Sequence, residues 1–392
     1  MDKQLFVTTI PHFSETNLNS FCWFLEYGLS DELRNFASAL NLNEKLNIRV
    51  YSEEFVLKRP KYSSVQCKRY DLTYAIRIYV PIELIEEGTV NEYLAFFGEI
   101  PLMTEEGTFI INGCERVIIN QIIRSPGIYY RRETQEKTLQ YSATLISDRG
   151  SWLKFEFETG TVQIRLNKAT TVDFYHLLET CGITNFDPST KFNLAILNKS
   201  IQQTSISDFD TNLLTKNLTN NQNINFDSNK GSEDNYLQIF NEKVYSLGKI
   251  GRKKLNSRLG LSIPDSITRV TIDDVIAISN YLVDLHANLG ELDDIDNLRN
   301  RRVRSIGELL QIQYGIGLSR LERSINERLM ITNSTAFKVA TIINPKPIIA
   351  SIKEFFGSSQ LSQFMDQTNP IASLTHKRRI SSLGPGGLNR DR

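Results

Sequence analysis

The dipeptide Asn112-Gly113 lies between two short apolar runs, Thr108–Ile111 and Cys114–Ile119, and leaves little choice of local structure. A two-residue hairpin turn needs positive φ at both central positions. Asn tolerates that region and Gly enters it freely, so the two runs are expected to pair as antiparallel strands. Tyr74–Val80 reads as a strand by alternation, with Ile76, Ile78 and Val80 facing one way and Ala75, Arg77 and Tyr79 the other. A second hairpin is expected over Leu153–Leu166, turning at Thr159-Gly160-Thr161. Leu153, Phe155 and Phe157, then Val162, Ile164 and Leu166, form its apolar face.

Helical spacing follows further on. Thr271 and Asp274 form a capping signal before the stripe Val275, Ile278, Leu282 and Leu285. Ser305 and Glu308 give a second such signal, and a longer helix is expected to carry Leu309, Ile312, Ile316, Leu321, Ile325 and Leu329 on its packing face. Strands and helices therefore mix as an α+β fold. At about 150 residues per domain, 392 residues suggest two or three domains. Residues 199–235 are dominated by Asn, Ser, Thr, Gln and Asp; with so few apolar anchors they cannot offset the entropy of ordering, and they read as a flexible insertion.

Charge excludes one class of protein. Lys plus Arg equals Asp plus Glu at 45 each, so the whole surface cannot be a nucleic-acid coat, although a local basic patch remains open. Cys22, Cys67, Cys114 and Cys181 are widely separated without a CxxC pair, and read as free thiols in a reducing compartment. No apolar run approaches the roughly 18 residues of a membrane span. Met1-Asp2-Lys3-Gln4 opens neither a secretory signal nor a transit peptide, which suggests work in the compartment of synthesis.

Self-contained catalysis finds little support. His12, His176, His286 and His376 are scattered without a metal-ligand partner at helical or hairpin spacing, and nucleophile-elbow, P-loop and dinucleotide fingerprints are absent. Asp293, Asp294 and Asp296 could hold a hard cation, or orient the following Arg299, Arg301, Arg302 and Arg304. Trp152 breaks its strand's alternation by falling on the face of Lys154 and Glu156. It is either covered by a neighbouring segment or an exposed ring on which a base can stack. Near the end, His376-Lys377-Arg378-Arg379 and Arg390-Asp391-Arg392 flank the turn-forming Leu383-Gly384-Pro385-Gly386-Gly387, with Gln363, Gln367 and Asn369 upstream. Alone this is either a solvated basic loop or a phosphate-contacting one.

The string Phe355-Phe356-Gly357-Ser358-Ser359-Gln360-Leu361-Ser362-Gln363-Phe364-Met365-Asp366-Gln367, continuing through Thr375–Arg379 to Leu383–Leu388, resembles the rifamycin-binding and fork region of the bacterial and plastid RNA polymerase beta subunit. Gly98–Ile128, Arg149–Phe157 and Gly290–Leu329 resemble further blocks of that family, in its order. The resemblance weakens around 1–60 and 170–240. It implies a protrusion over 1–121 and 306–355, a lobe over 122–305, and the start of the fork over 356–392, together one wall of a DNA cleft. It implies no catalytic residue and no cofactor in this segment, with Mg²⁺ on the other large subunit. The expected partners are the carboxy-terminal remainder of beta, beta-prime-type and alpha subunits, a sigma factor, DNA and RNA.

The same resemblance places Gln363, His376, Arg379 and Arg390 near RNA or the RNA–DNA hybrid. It puts Ile128, Leu361, Ser362, Gln363, Phe364, Asp366, His376, Arg379, Ser381 and Leu383 around a rifamycin pocket. Trp152, Ile295, Asp296, Arg301 and Leu388 match the family's pocket for a flipped-out non-template guanine. Cys114, Asn297, Arg299 and Thr368 depart from residues usual in bacterial relatives, and Asn167–Thr170 replaces a more basic run. Tyr129-Tyr130 and the Asn-rich insertion look plastid-like, so a plastid is expected, with the bacterial cytoplasm as the alternative. The ending inside the fork suggests a split beta subunit, a beta subunit cut short, or a free-standing nucleic-acid-binding regulator derived from one.

Overall fold

A computed structural model describes residues 13–40, 47–86, 89–135, 138–158, 161–165, 171–174, 177, 240, 245–331, 343–385 and 387. The expected insertion at 199–235, and Leu388 and Arg390, lie outside the described residues. The fold is mixed α+β, and the chain divides into two compact units: Met1–Ile123 with Val303–Arg392, and Arg124–Arg302.

The first unit opens with α1 (Glu15–Trp23), which passes through a π-helical turn at Phe24–Gly28 into α2 (Leu29–Leu40). Leu29, Leu33, Phe36 and Leu40 recur at helical spacing and are buried. β1 (Asn47–Val50), β2 (Val56–Lys58), α3 (Ser64–Arg69), β3 (Ala75–Glu86) and β4 (Thr89–Pro101) follow. β3 lies between β1 and β2 and also pairs with β4, all antiparallel. As the alternation requires, Ile76, Ile78 and Val80 are buried. Burial of one such side chain contributes about 1.5–3 kcal/mol.

The predicted hairpin forms between β5 (Phe109–Ile111) and β6 (Cys114–Ile118), with Ile111 opposite Cys114. Asn112 and Gly113 take φ of 48° and 77°, the positive pair the turn demands. β7 (Asn120–Arg124) then carries the chain out of the first unit.

The second unit is a five-stranded antiparallel sheet in the order β12-β11-β10-β9-β8. Its strands are β8 (Gly127–Gln135), β9 (Thr138–Ile146), β10 (Leu153–Glu158), β11 (Thr161–Arg165) and β12 (Thr171–Asp173). The expected β10–β11 hairpin forms, with Phe155 opposite Ile164 and Phe157 opposite Val162. α4 (Gly248–Leu259) and α5 (Ile272–His286) complete the core, where Leu153, Phe155, Val162 and Ile164 cluster with Ile278 and Leu282.

α5 begins where Thr271 predicts, and the capping box with Asp274 is formed. The same carboxylate does more. Arg252 of α4 is fully buried, and its Nη1 donates to Asp274 Oδ1 at 2.6 Å. Its remaining donors reach the carbonyls of Ile267, at 2.8 Å from Nε, and of Arg269. Thr271 N and Oγ1 donate to Asp274 Oδ2 at 2.7 and 2.9 Å.

β13 (Arg301–Arg304) brings the chain back into the first unit, where α6 (Ile306–Ile331) and α7 (Lys346–Ser358) pack against α1, α2 and β4. The expected face of α6 needs correction. Leu309, Leu310, Tyr314, Leu318, Leu321 and Ile325 are buried, whereas Ile312 and Ile316 are exposed at 38% and 39%. Tyr314 and Leu318 pull the packing arc away from the predicted stripe, because the helix is buried against several partners rather than one. The side chain of Leu329 lies outside the described residues. The unit ends with β14 (Ser362–Phe364), α8 (Pro370–Lys377) and β15 (Ile380–Ser381).

Candidate nucleic-acid interface

The first unit gathers most of the predicted hybrid and rifamycin residues on β14, α8 and β15 and in the turns that flank them. β14 adds antiparallel to β6, with Gln363 opposite Val117 and Phe364 opposite Arg116. β15 pairs in parallel with β7, Ser381 opposite Gln121. Leu361 and Ser362 are buried behind this surface, and Ser362 Oγ donates to the Phe356 carbonyl at 2.9 Å. Phe364 is exposed, and the Arg116 guanidinium lies 4.2 Å from its ring centroid. Leu383 N donates to Ser381 Oγ at 3.2 Å. Arg379 is exposed. Ile128 belongs to the other unit, where it is buried in that unit's own core.

The turn between β14 and α8 is fastened by its own side chains. Asp366 Oδ1 accepts from Thr368 Oγ1 at 2.6 Å and from Thr368 N at 3.1 Å, which hold its carboxyl below the ordinary range. Ser373 Oγ donates to the Asp366 carbonyl at 2.6 Å, and Asn369 caps α8 through Ile371 N. Glu115 of β6 accepts from Gln367 Nε2 at 2.6 Å and pairs with Lys68.

His376 is half-buried in this arrangement. Its Nδ1 accepts from Asp366 N at 3.3 Å, and its Nε2 lies 3.1 Å from Gln363 Oε1. A ring nitrogen that accepts carries no proton, so Nε2 is the protonated one and donates to Gln363. Burial, then the Arg379 charge, push its pKa below the usual histidine value, against a smaller opposing effect of Asp366. The unfolded chain therefore takes up a proton here before the folded one does. This contribution to stability is complete above about pH 6.5 and declines as pH falls from there through the folded pKa. Hydrogen exchange should show it: protection of the Asp366 amide, corrected for intrinsic rate, should fall progressively as the pH drops below about 6.5. Constant protection across that range would contradict the assigned tautomer.

The second unit holds the other predicted group apart from Leu388. Trp152 is 46% exposed, which decides between cover and exposure, and the Arg124 guanidinium lies 5.5 Å from its ring centroid. Ser125, next to Arg124, donates its N–H to the Asn300 carbonyl at 2.9 Å. Arg302 Nη2 bonds Asp148 Oδ1 at 2.9 Å, fastening the turn before Trp152 to the segment of Arg301. Arg301 Nη2 in turn meets Asp296 Oδ1 at 2.9 Å, and Asp296 N donates to Asp294 Oδ1 at the same distance. Ile295 is not a surface residue. It is buried with Tyr129 and Ile146, and so anchors the turn that displays Asp296. Burial raises the Tyr129 hydroxyl pKa to about 12, and this hydroxyl donates to the Ser125 carbonyl at 2.7 Å.

Asp293, Asp294 and Asp296 do not converge. The Asp293 carboxylate accepts from Tyr130 N at 3.1 Å and faces Arg258 at 3.3 Å, while Asp296 is taken by Arg301. Among the described residues no group of three or more His, Cys, Asp or Glu side chains could hold a metal ion. Three contributors escaped the sequence reading. Arg124, Glu115 and Gln121 act on groups far along the chain; Gln121 Nε2 donates to the Leu383 and Pro385 carbonyls at 3.3 and 3.1 Å. The only signal for Gln121 was a polar residue inside an apolar strand.

Comparison with known proteins gives a consistent likeness. The family described as RNA polymerase Rpb2, domain 2 matches residues 124–304, and RNA polymerase Rpb2, domain 3 matches residues 363–392. A DNA-directed RNA polymerase subunit beta of Guillardia theta is 47% identical over 98% of this chain, and that of Rhodomonas salina 46% identical over 99%. The corresponding subunit of Synechococcus elongatus is 45% identical over 98%. The chain spans 36% of the length of each of these relatives.

Proposed function

We propose, from the premise that the chain is homologous over nearly its whole length to an amino-terminal part of RNA polymerase beta subunits, that it is a component of a DNA-directed RNA polymerase. In that nucleotidyltransferase it forms one wall of the DNA cleft, with a protrusion (1–121 and 306–355), a lobe (122–305) and the start of the fork (356–392). The observation that carries the reading is 44–47% identity sustained across 98% of the chain. It works with the remaining beta-subunit sequence, beta-prime-type and alpha subunits, a sigma factor, DNA and RNA. The catalytic Mg²⁺ belongs on the other large subunit. Relatives from cryptophytes and cyanobacteria favour a plastid, with the bacterial cytoplasm as the alternative compartment.

Within this role Gln363, His376, Arg379 and Arg390 attend the RNA–DNA hybrid, beside a rifamycin pocket. Trp152, Asp296 and Arg301, with Ile295 beneath, receive an unpaired non-template guanine. What supports the base site is chemical: an exposed indole offers a stacking face, and a carboxylate steadied by Arg301 can accept from a base edge. Stacking on one aromatic ring contributes about 1–3 kcal/mol, or roughly 5- to 150-fold. Polymerase isolated through a tag on this chain should make RNA from promoter DNA. Trp152→Ala should shorten its promoter-complex lifetime with guanine at one non-template position and have less effect with other bases there. An isolate without RNA synthesis would remove the polymerase reading; equal effects with every base would remove the base site.

A further inference from the structure

Asp366, His376, Gln363 and Gln360 form a one-way chain of hydrogen-bond donors. Asp366 N–H gives to His376 Nδ1, His376 Nε2–H gives to Gln363 Oε1, and Gln363 Nε2 gives to the Gln360 carbonyl at 3.1 Å. The start of the chain is fixed, because Thr368 and Ser373 hold the Asp366 carboxylate and carbonyl. Its direction fixes the Gln363 amide as well. Turning that amide over would set its NH₂ against the His376 N–H and its oxygen against the Gln360 carbonyl, two repulsive contacts at once. One amide N–H of half-buried Gln363 then has no partner among these bonds. Arg378 and Arg379 are exposed close by in sequence, and favour an anionic acceptor.

We propose that His376 is a positioning residue, which holds Gln363 in one amide orientation so that Gln363 donates to a phosphodiester oxygen of bound nucleic acid. This rests on the nucleic-acid reading given above. His376 thus acts through Gln363 rather than as a cation on the ligand. Its lowered pKa, under the opposed influences of Arg379 and Asp366, keeps the ring neutral and agrees with that role.

Two measurements test it. In the full chain labelled with ¹⁵N-histidine, the resonances lost in His376→Gln identify this ring; Nδ1 should be pyridine-like and Nε2 pyrrole-like. A protonated Nδ1, or averaging between tautomers, would overturn the proposal whether or not nucleic acid binds. In the tagged polymerase, affinity for a short RNA–DNA hybrid is the second readout. Gln363→Ala and His376→Phe should each weaken it about tenfold, and the two together no more than either alone. His376→Gln returns an N–H near the Nε2 position and should recover most of the loss. Additive losses, or no recovery by glutamine, would show that His376 does not act through Gln363. An unaltered polymerase that fails to bind the hybrid would overturn the nucleic-acid reading, leaving the tautomer to be judged by NMR.

Discussion

Arg252→Met should destabilise the 124–302 unit by about 3–5 kcal/mol, because it leaves the Asp274 carboxylate buried without its cation. Both side chains have no solvent exposure, so water cannot take over the lost bonds. The Ile267 and Arg269 carbonyls lose their donors in the same step. For a unit of this size a loss of that order lowers the melting temperature by roughly 10 °C, to be read by calorimetry on the whole chain. Arg252→Met with Asp274→Leu should recover part of the loss, since a buried pair replaced by apolar groups is often neutral. The carbonyls and the Thr271 cap would still lack partners, so recovery stays incomplete. A single substitution costing under about 1 kcal/mol would mean that the pair is solvated after all.

Gly307→Ala should destabilise the first unit, against the expectation from helix propensity alone. Alanine is favoured over glycine inside a helix by about 1 kcal/mol. Here, however, a Cβ would fall on the Ser20 carbonyl oxygen and 2.9 Å from its carbonyl carbon. Those are backbone atoms of α1, and no rotamer can move them aside. Separating α1 from α6 would also stretch the Gly307 N–H bond to Ser20 Oγ, now 2.9 Å, and the Ser20–Ser305 hydroxyl bond of 2.7 Å. Overpacking of this kind costs about 1–3 kcal/mol or more, so the clash outweighs propensity. Equilibrium denaturation of the variant decides the sign. A stabilised protein would mean that the two helices separate more freely than their packing indicates.

Local chemistry was legible where it depends on neighbours in the chain. Asn112-Gly113 announced its turn, Thr271 and Asp274 their cap, and the alternation at 153–165 its hairpin. The face of α6 was not legible, because Ile312 and Ile316 satisfy helical spacing while burial is decided by which helices surround Tyr314 and Leu318. Trp152 was visible as an anomaly, but its Arg124 flank was not, since nothing in the sequence relates the two positions. The resemblance named His376 and Gln363 together. Only geometry gives the direction of the bond between them and hence the tautomer.

The interruption of the first unit by the second has a consequence for how the chain comes into being. All of Arg124–Arg302 lies in one continuous stretch, and its sheet joins neighbours in sequence order, so it can fold as soon as that stretch is made. The first unit cannot. Arg116 donates to the Phe356 carbonyl 240 residues away, and the edge of β6 that receives β14 stays open until Ser362–Phe364 are synthesised. At about 5–20 residues per second, that edge waits for tens of seconds while the intervening unit is made. The first-made part of the chain is thus the last to close, and its unpaired strand is where nascent molecules are most exposed to wrong pairing.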